Sequence, residues 1–374
     1  MTFELKASKI IYKYLDIVGL TVMDIKSKDL AKILGVSTAT ISLILNNKPG
    51  ISDDTRRNII ERITELGYGD MVKDNPVVEK SPNGNIINSY PRNIGFVIYK
   101  HGGELMEQTP FLPLMIDGLE AAARRNGYNL VIINLSSQQA PDIQTQYIRD
   151  SRCLGYVIFA TEMIGDEVVP FERLGLPFVL LDNYYLNRKI NCIKLNNEQG
   201  TAALVNHLIA MGHQTIGYLD SGIEIPSFLE RKQYCFSALS RHSILDMEEY
   251  SYSIGYPEHC AYEGMKLLLK NNSKLPTAFL TDNDMIAFGA TKAMKEHGIR
   301  VPDDISIVGF DDRPICTMME PNLTTVRIPR ASFGAEAVEL LSKLLKNIEY
   351  EKNLCLKIEI AVELIVRDSV KIIQ

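Results

Sequence analysis

The chain has 374 residues with 40 Lys or Arg against 46 Asp or Glu, a formal net charge of −6. A hydrophobic fraction of 46%, a charged fraction of 23% and a mean hydropathy of −0.02 describe a globular protein of two or three domains and exclude a disordered or fibrous chain. No apolar run approaches the roughly 20 residues that cross a bilayer, and charges interrupt the N-terminal MTFELKASKIIYKYLD, so the expectation is a cytoplasmic protein, neither membrane-bound nor secreted.

Within residues 1–24, Ile10, Ile11, Tyr14, Leu15 and Val18 form an apolar stripe, expected to pack on the neighbouring domain or on a partner chain. From 25 to 69 the pattern is one of short helices: KSKDLAKILG, VSTATISLILN and ISDDTRRNIIERITELG. The apolar residues Leu30, Ile33, Leu34, Val36, Ile41, Ile44, Leu45, Ile59, Ile60, Ile63 and Leu66 recur at helical spacing. Ser37 and Ser52 suit N-caps, and Gly35 and Gly67 stand where helices stop. Although the whole chain is acidic, Lys26 to Arg62 holds seven Lys or Arg against four acids, a local net of +3. The second helix presents Ser37, Thr38, Ala39, Thr40 and Ser42, small residues with no acid among them, a face that enters a major groove without repelling phosphates. A solvated helical bundle has the same composition, but the tight turn at Gly35 between paired helices favours a helix-turn-helix. Residues 70–92 hold three prolines and little periodicity and read as a linker or hinge.

From residue 93 onward apolar strands alternate with amphipathic helices. The strands are NIGFVIY, NLVIINL, GYVIFA, PFVLLD, TIGYLD, TAFLTD and DISIVGF, separated by helices such as LMIDGLEAAARRNG and DMIAFGATKAMKEHG. Buried β-branched runs with helical crossovers imply parallel sheets covered on both faces, and some 280 residues imply two α/β lobes. Polar residues follow the strands: Ser136 and Ser137, Asp182 and Asn183, Asp220 and Ser221, Asp282, Asn283 and Asp284, and Asp311, Asp312 and Arg313. Ligands of such sheets bind outside the carboxyl ends of the strands, and amides with carboxylates suit a ligand rich in hydroxyls. Any one of these residues also suits a helix cap, as Asp284 does before MIAFGATKAM.

The six cysteines at 153, 192, 235, 260, 316 and 355 have neither zinc nor dithiol spacing and read as reduced thiols. His207 and His213 stand six apart across a helix end and read as structural. The nucleotide-binding, zinc-protease and nucleophile-elbow motifs are absent, so no catalytic residue, metal or cofactor is expected.

The stretch DLAKILGVSTATISLILNNKPGISDDTRRNIIERITELGY resembles the DNA-binding headpiece of the lactose repressor (LacI/GalR) family of transcriptional regulators, ungapped from Lys26 to Tyr68. The segments TPFLPLMIDGLEAAARRNGY, LPFVLLDN, NNEQGTAALVNHLIAMGHQTIGYL, ERKQYCFSAL, PTAFLTDNDMIAFGATKAMKEHGIRVPDDISIVGFDD and PNLTTVRIP extend the resemblance to about residue 368. It implies an α/β protein in which a small all-α helix-turn-helix headpiece precedes a two-lobed core resembling periplasmic binding proteins. The core, 93–374, would comprise lobe 1 at about 93–192 and 321–349 and lobe 2 at about 193–320 and 350–370, with crossovers near Ile193, Pro321 and Tyr350.

By the same resemblance, Thr38 and Ala39 read bases of operator DNA, and Ser37, Thr40, Ser42, Asn46, Ser52 and Thr55 contact phosphate or groove. Arg231, Asn283 and Asp311 bind the effector, with Asp182 and Phe111 beside them; an Arg fork beside a carboxylate and an amide grips vicinal hydroxyls. Three features depart from the family pattern. Leu43 replaces the Arg of the T-[VI]-S-R motif and can meet only an apolar surface such as a thymine methyl. The A-R-x-L hinge is not visible in 70–92, where Ile86 and Ile87 are candidate substitutes for its leucine. An extension of some 24 residues precedes the headpiece.

Only seven residues follow Arg367, too few for a tetramerising heptad helix, so a homodimer on a palindromic operator is expected. The implied function is a repressor whose operator affinity is controlled by a small hydroxylated effector, a sugar. The alternatives are a sugar-binding module with a weakened headpiece, or a purine-type corepressor-dependent regulator, for which Tyr184, Tyr185 and Phe228 offer stacking faces.

Overall fold

A computed structural model describes residues 26–46, 48, 50–66, 68, 71–72, 77–80, 86–89, 92–102, 111–244, 248–271, 274–346 and 354–373. The apolar stripe of residues 10–18 and Gly67 lie outside them. The chain forms two compact units, 1–91 and 92–374.

In the first unit, α1 (Ser27–Leu34), α2 (Thr38–Leu45) and α3 (Asp53–Glu65) follow one another. Gly35 ends α1 at φ 68°, in the left-handed region where a Cβ is penalised, and its N–H donates to the Ala31 carbonyl. Ser37 starts α2 by accepting from the Thr40 N–H at 3.0 Å, and Ser52 accepts from the Thr55 N–H at 3.4 Å ahead of α3. Leu30, Ile41, Ile44 and Ile63 are completely buried and form the centre of the unit. Ile33, which shares the helical spacing of these residues, is 44% exposed. Leu30, Ala31 and Leu34 set the buried direction of α1, and Ile33 points about 100° away from it.

Within 70–92, β1 (Val77–Lys80) pairs antiparallel with β2 (Ile86–Ser89), Val77 opposite Ser89 and Lys80 opposite Ile86. Ile86 and Ile87, the candidate substitutes for the hinge leucine, therefore lie on a strand. The signal was present as two β-branched pairs flanking Asn83-Gly84, a hairpin-turn dipeptide.

The second unit contains two parallel sheets. In the first, β13 (Lys357–Ile360), β7 (Cys192–Leu195), β6 (Phe178–Leu181), β5 (Tyr156–Phe159), β3 (Asn93–Lys100) and β4 (Asn129–Ser136) lie in that spatial order. Its helices are α4 (Phe111–Arg125), α5 (Pro141–Asp150), α6 (Val169–Leu174) and α11 (Arg330–Leu345). In the second, β11 (Ser306–Val308), β10 (Ala278–Thr281), β8 (Ile216–Asp220) and β9 (Ser251–Ser253) lie side by side. It carries α7 (Asn197–Ala210), α8 (Pro226–Arg241), α9 (Glu258–Asn271) and α10 (Asp284–Glu296). A two-stranded antiparallel ladder, β12 (Thr325–Arg327) with β14 (Glu363–Ile365), joins two of the connecting segments.

The crossovers differ from those expected. Ile193 sits inside β7, paired with Leu181 and Ile358, so the chain leaves the first sheet only after Leu195. Residues 321–328 stay with the second lobe, because Thr324 bridges Val308 and Arg327 bridges Asp311. Residues 357–360, assigned to lobe 2, form the edge strand of the first sheet instead. Parallel pairing beside β7 satisfies the backbone of this segment, whose exposed-and-half-buried KIEI has no long apolar run to announce it.

Candidate functional site

On α2, Ser37, Thr38, Ala39, Ser42 and Asn46 are exposed, whereas Thr40 and Leu43 are half-buried. The Ser37 and Thr40 hydroxyls bond each other at 2.8 Å, as do those of Ser52 and Thr55, which fixes both pairs while leaving Ser37, Ser52 and Thr55 at the surface. The Asn46 side-chain N–H donates to the Ser42 carbonyl at 2.9 Å, so its Oδ1 is the atom directed outward for other donors. Leu43 leans on the following turn, where a β-carbon on Gly50 would lie 3.7 Å from its Cδ1. The Arg56 guanidinium donates to the Leu43 carbonyl at 3.5 Å and to that of Lys48, holding α3 against the end of α2. The exposed start of α2 thus offers hydroxyls, a methyl and a helix N-terminus with no carboxylate among them, a surface fitted to phosphates and base edges.

In the second unit the polar residues that follow the strands divide into two groups. Asp312 accepts from Arg367 at 2.6 Å and Arg327 at 2.7 Å, Asp220 pairs with Lys232 at 2.7 Å, and Asn183 donates to the Ala160 and Met163 carbonyls. The Ser137 hydroxyl donates to the His101 carbonyl. These hold loops in place.

Arg231, Asn283 and Asp311 behave differently. Arg231, on α8, is buried; its Nε donates to Asn197 Oδ1 at 3.0 Å and Nη1 to the Asp282 carbonyl at 2.7 Å, with Asp311 Oδ1 3.5 Å away. Its guanidinium lies 3.7 Å from the centroid of the Phe310 ring and 5.6 Å from that of Phe228. Asp311 also accepts from the Nε and Nη2 of Arg313, both at 3.2 Å. Its φ of 111° lies in the left-handed region, tolerated because its N–H donates to the Val326 carbonyl and two guanidiniums hold its side chain.

Asn283, not Asp284, caps α10: its Oδ1 accepts from the N–H groups of Met285 and Ile286. The capping role suggested for Asp284 is therefore corrected; its carboxylate is drawn inward by the Thr325 hydroxyl at 2.6 Å and the Arg313 N–H at 2.7 Å. With Oδ1 occupied, the buried Nδ2 of Asn283 has no hydrogen-bond partner among the described residues.

Asp182, at the end of β6 with φ 65°, accepts from the Thr161 hydroxyl at 2.7 Å. Burial raises its pKa to about 6, with Arg231 lowering it and Asp311 and Glu230 raising it, so Asp182 shares their electrostatic environment. Burial also raises Asp282 to about 6, against the Ser221 N–H and Tyr218 hydroxyl that favour its charge. The Asp284 carboxyl is pushed up by burial and by Asp311. Phe111 is the first residue of α4, and its side chain lies outside the described residues.

Asn197, Glu230, Lys194 and Phe310 complete the arrangement, and the sequence reading did not single them out. Asn197 holds Arg231 with its Oδ1 and donates from Nδ2 to Glu230 at 2.8 Å, and Glu230 accepts from Lys194 at 2.5 Å. Lys194 lies 3.3 Å from Glu359. This chain of contacts runs from Arg231 to β7 and β13, the strands beside two of the crossovers. The polar NNEQ run after β7 was its visible trace.

Residues 27–69 match the family model described as bacterial regulatory proteins, lacI family, and residues 205–370 match that of the periplasmic binding protein-like domain. The repressor PurR of Mannheimia succiniciproducens is 30% identical over 348 residues, 92% of this chain and 98% of PurR. The chain belongs to the lacI family of bacterial regulatory proteins. The regulator GalR of Escherichia coli is 31% identical over 326 residues, 86% of this chain and 89% of GalR. Among solved structures, the transcriptional regulator CelR in complex with cellobiose shares the fold, with a TM-score of 0.67 at 20% identity over 92% of this chain and all of that one. As a lacI-family regulator the chain pairs a helix-turn-helix headpiece with parallel-sheet lobes. No helix among its described residues is long and apolar enough to cross a membrane.

Proposed function

We propose that this lacI-family regulator is a repressor that acts by binding, without chemistry of its own. Its homodimer reads a palindromic operator through α2, and a small hydroxylated effector, a sugar, binds in a cleft between the two lobes of the core and changes operator affinity. Thr38 and Ala39 face base edges; Ser37, Thr40, Ser42, Asn46, Ser52 and Thr55 face phosphate or groove, and Leu43 contributes an apolar edge. The observation that carries the effector reading is the buried Arg231 stacked on Phe310 with Asp311 at 3.5 Å, beside an Asn283 amide whose Nδ2 has no acceptor among the described residues. A sugar oxygen satisfies that donor, and sugar hydroxyls donate to Asp311 and Asp182. Phe111 is assigned to the same ligand. The cellobiose held by CelR supports a sugar; a purine-type corepressor is the second reading, with Phe228 as a stacking face beside Arg231. The effector acts through its differential affinity for two arrangements of the core.

A thermal-shift screen of sugars, sugar phosphates and purines identifies the class, since a ligand of the folded state alone raises the melting temperature. The Arg231→Ala variant is expected to lose that shift and the effector response while still footprinting the operator. An unchanged response in that variant overturns the site, and a footprint without sequence preference overturns the operator reading.

A further inference from the structure

The charge of the effector is written into the cleft, an inference that rests on the effector reading above. Arg231 and Arg313 both contact Asp311, at 3.5 and 3.2 Å. Arg231 spends further N–H groups on Asn197 and the Asp282 carbonyl. Arg330, the next guanidinium, donates from Nη2 to the carbonyls of Asp311 and Asp312. Four aspartates stand against these three cations: Asp182, Asp282, Asp284 and Asp311. Asp282 and Asp284 are held by hydroxyls and main-chain N–H groups. Asp182 has the Thr161 hydroxyl, and no ion pair among the described residues includes it.

Glu230, the further carboxylate felt by Asp182, is matched by Lys194. A ligand hydroxyl donates to Asp182 with no added charge, whereas a ligand anion about 6 Å from one unmatched carboxylate, at an effective dielectric near 20, is disfavoured about a hundredfold. We propose that the cleft takes an uncharged polyhydroxylated ligand and rejects its phosphorylated or uronate counterparts, with Asp182 as the residue that sets this selectivity.

The test is isothermal titration of the full chain at pH 7.5 with matched pairs: D-glucose against glucose 6-phosphate and D-glucuronate, and D-ribose against ribose 5-phosphate, with cellobiose as an uncharged disaccharide. The expected result is an uncharged member that binds at least about tenfold more tightly than its anionic partner. In Asp182→Asn the gap narrows by a similar factor. Asn accepts the positive φ and keeps an acceptor for Thr161, and the wild-type ratio needs no variant. An anionic member that binds as tightly as its neutral partner, or a gap unmoved by Asp182→Asn, overturns this inference and leaves the sugar reading standing. Binding of no sugar in either form overturns the sugar reading and this inference with it.

Discussion

Arg231 is rigid because its surroundings leave it little freedom. A side chain with so much rotamer entropy is useful in recognition only if ordered beforehand, and Phe310, Asn197 and the Asp282 carbonyl do that. Phe310 is itself held from behind, since a β-carbon at Gly200 would stand 2.8 Å from its ring. Asp182 shows the cost of burying a carboxylate. Its folded pKa of about 6 exceeds the ordinary 3.8, so the folded protein binds the proton more tightly than the unfolded chain. The resulting stabilisation is complete below pH 3.8 and is lost as pH rises through 6. From pH 5.5 to 7.5 the loss is about 1 kcal/mol, and Asp182→Asn removes it. Denaturation midpoints of the two proteins are therefore expected to shift in the variant's favour by that amount across the interval. Equal shifts would show that Asp182 titrates normally.

At the scale of elements, α4 and α11 approach backbone to backbone. A β-carbon at Gly118 would lie 2.0 Å from the Ala331 carbonyl oxygen, and one at Gly334 2.5 Å from that of Met115. Gly118→Ala is expected to destabilise the second unit by about 1–3 kcal/mol, read as a lower urea midpoint with an unchanged slope. No loss would mean that the helices separate freely. The long strands were legible in the sequence because NIGFVIY or PFVLLD buries both faces and has no helical period. The cap of α10 was not: Asn283 and Asp284 both suit the position, and the choice fell to Thr325 and Arg313, distant residues that draw Asp284 inward. The exposure of Ile33 was not legible either, because α1 is only eight residues long, too short for its apolar period to define one face.

For the whole molecule the charge of −6 divides unevenly. Residues 1–75 carry eleven basic and ten acidic groups, a net of +1, and leave 29 basic and 36 acidic for the remainder, a net of −7. The acidity belongs to the second unit. Attraction to DNA rests on the headpiece, so operator affinity is expected to fall at least about tenfold between 50 and 200 mM salt. Each Lys→Ala or Arg→Ala at a phosphate-contacting position should flatten the log–log slope by about one. A salt-independent affinity measured by fluorescence anisotropy of labelled operator would rule out phosphate contacts by the headpiece. Within the second unit, the route from Arg231 through Asn197 and Glu230 to Lys194 joins α8 to β7 and β13. It was hidden in the sequence because its members are common polar residues scattered from 194 to 359.

The family and the alternation of strand and helix were determined by the sequence alone. They rest on local period, capping chemistry and ordered motifs, all of which act over a few neighbouring residues. The tertiary structure decided where the chain crosses between lobes, which of two adjacent polar residues caps α10, and which carboxylates have no ion pair among the described residues. Those outcomes depend on hydrogen bonds and charges that meet only after folding, between residues as far apart in the chain as Asp284 and Thr325 or Lys194 and Glu359.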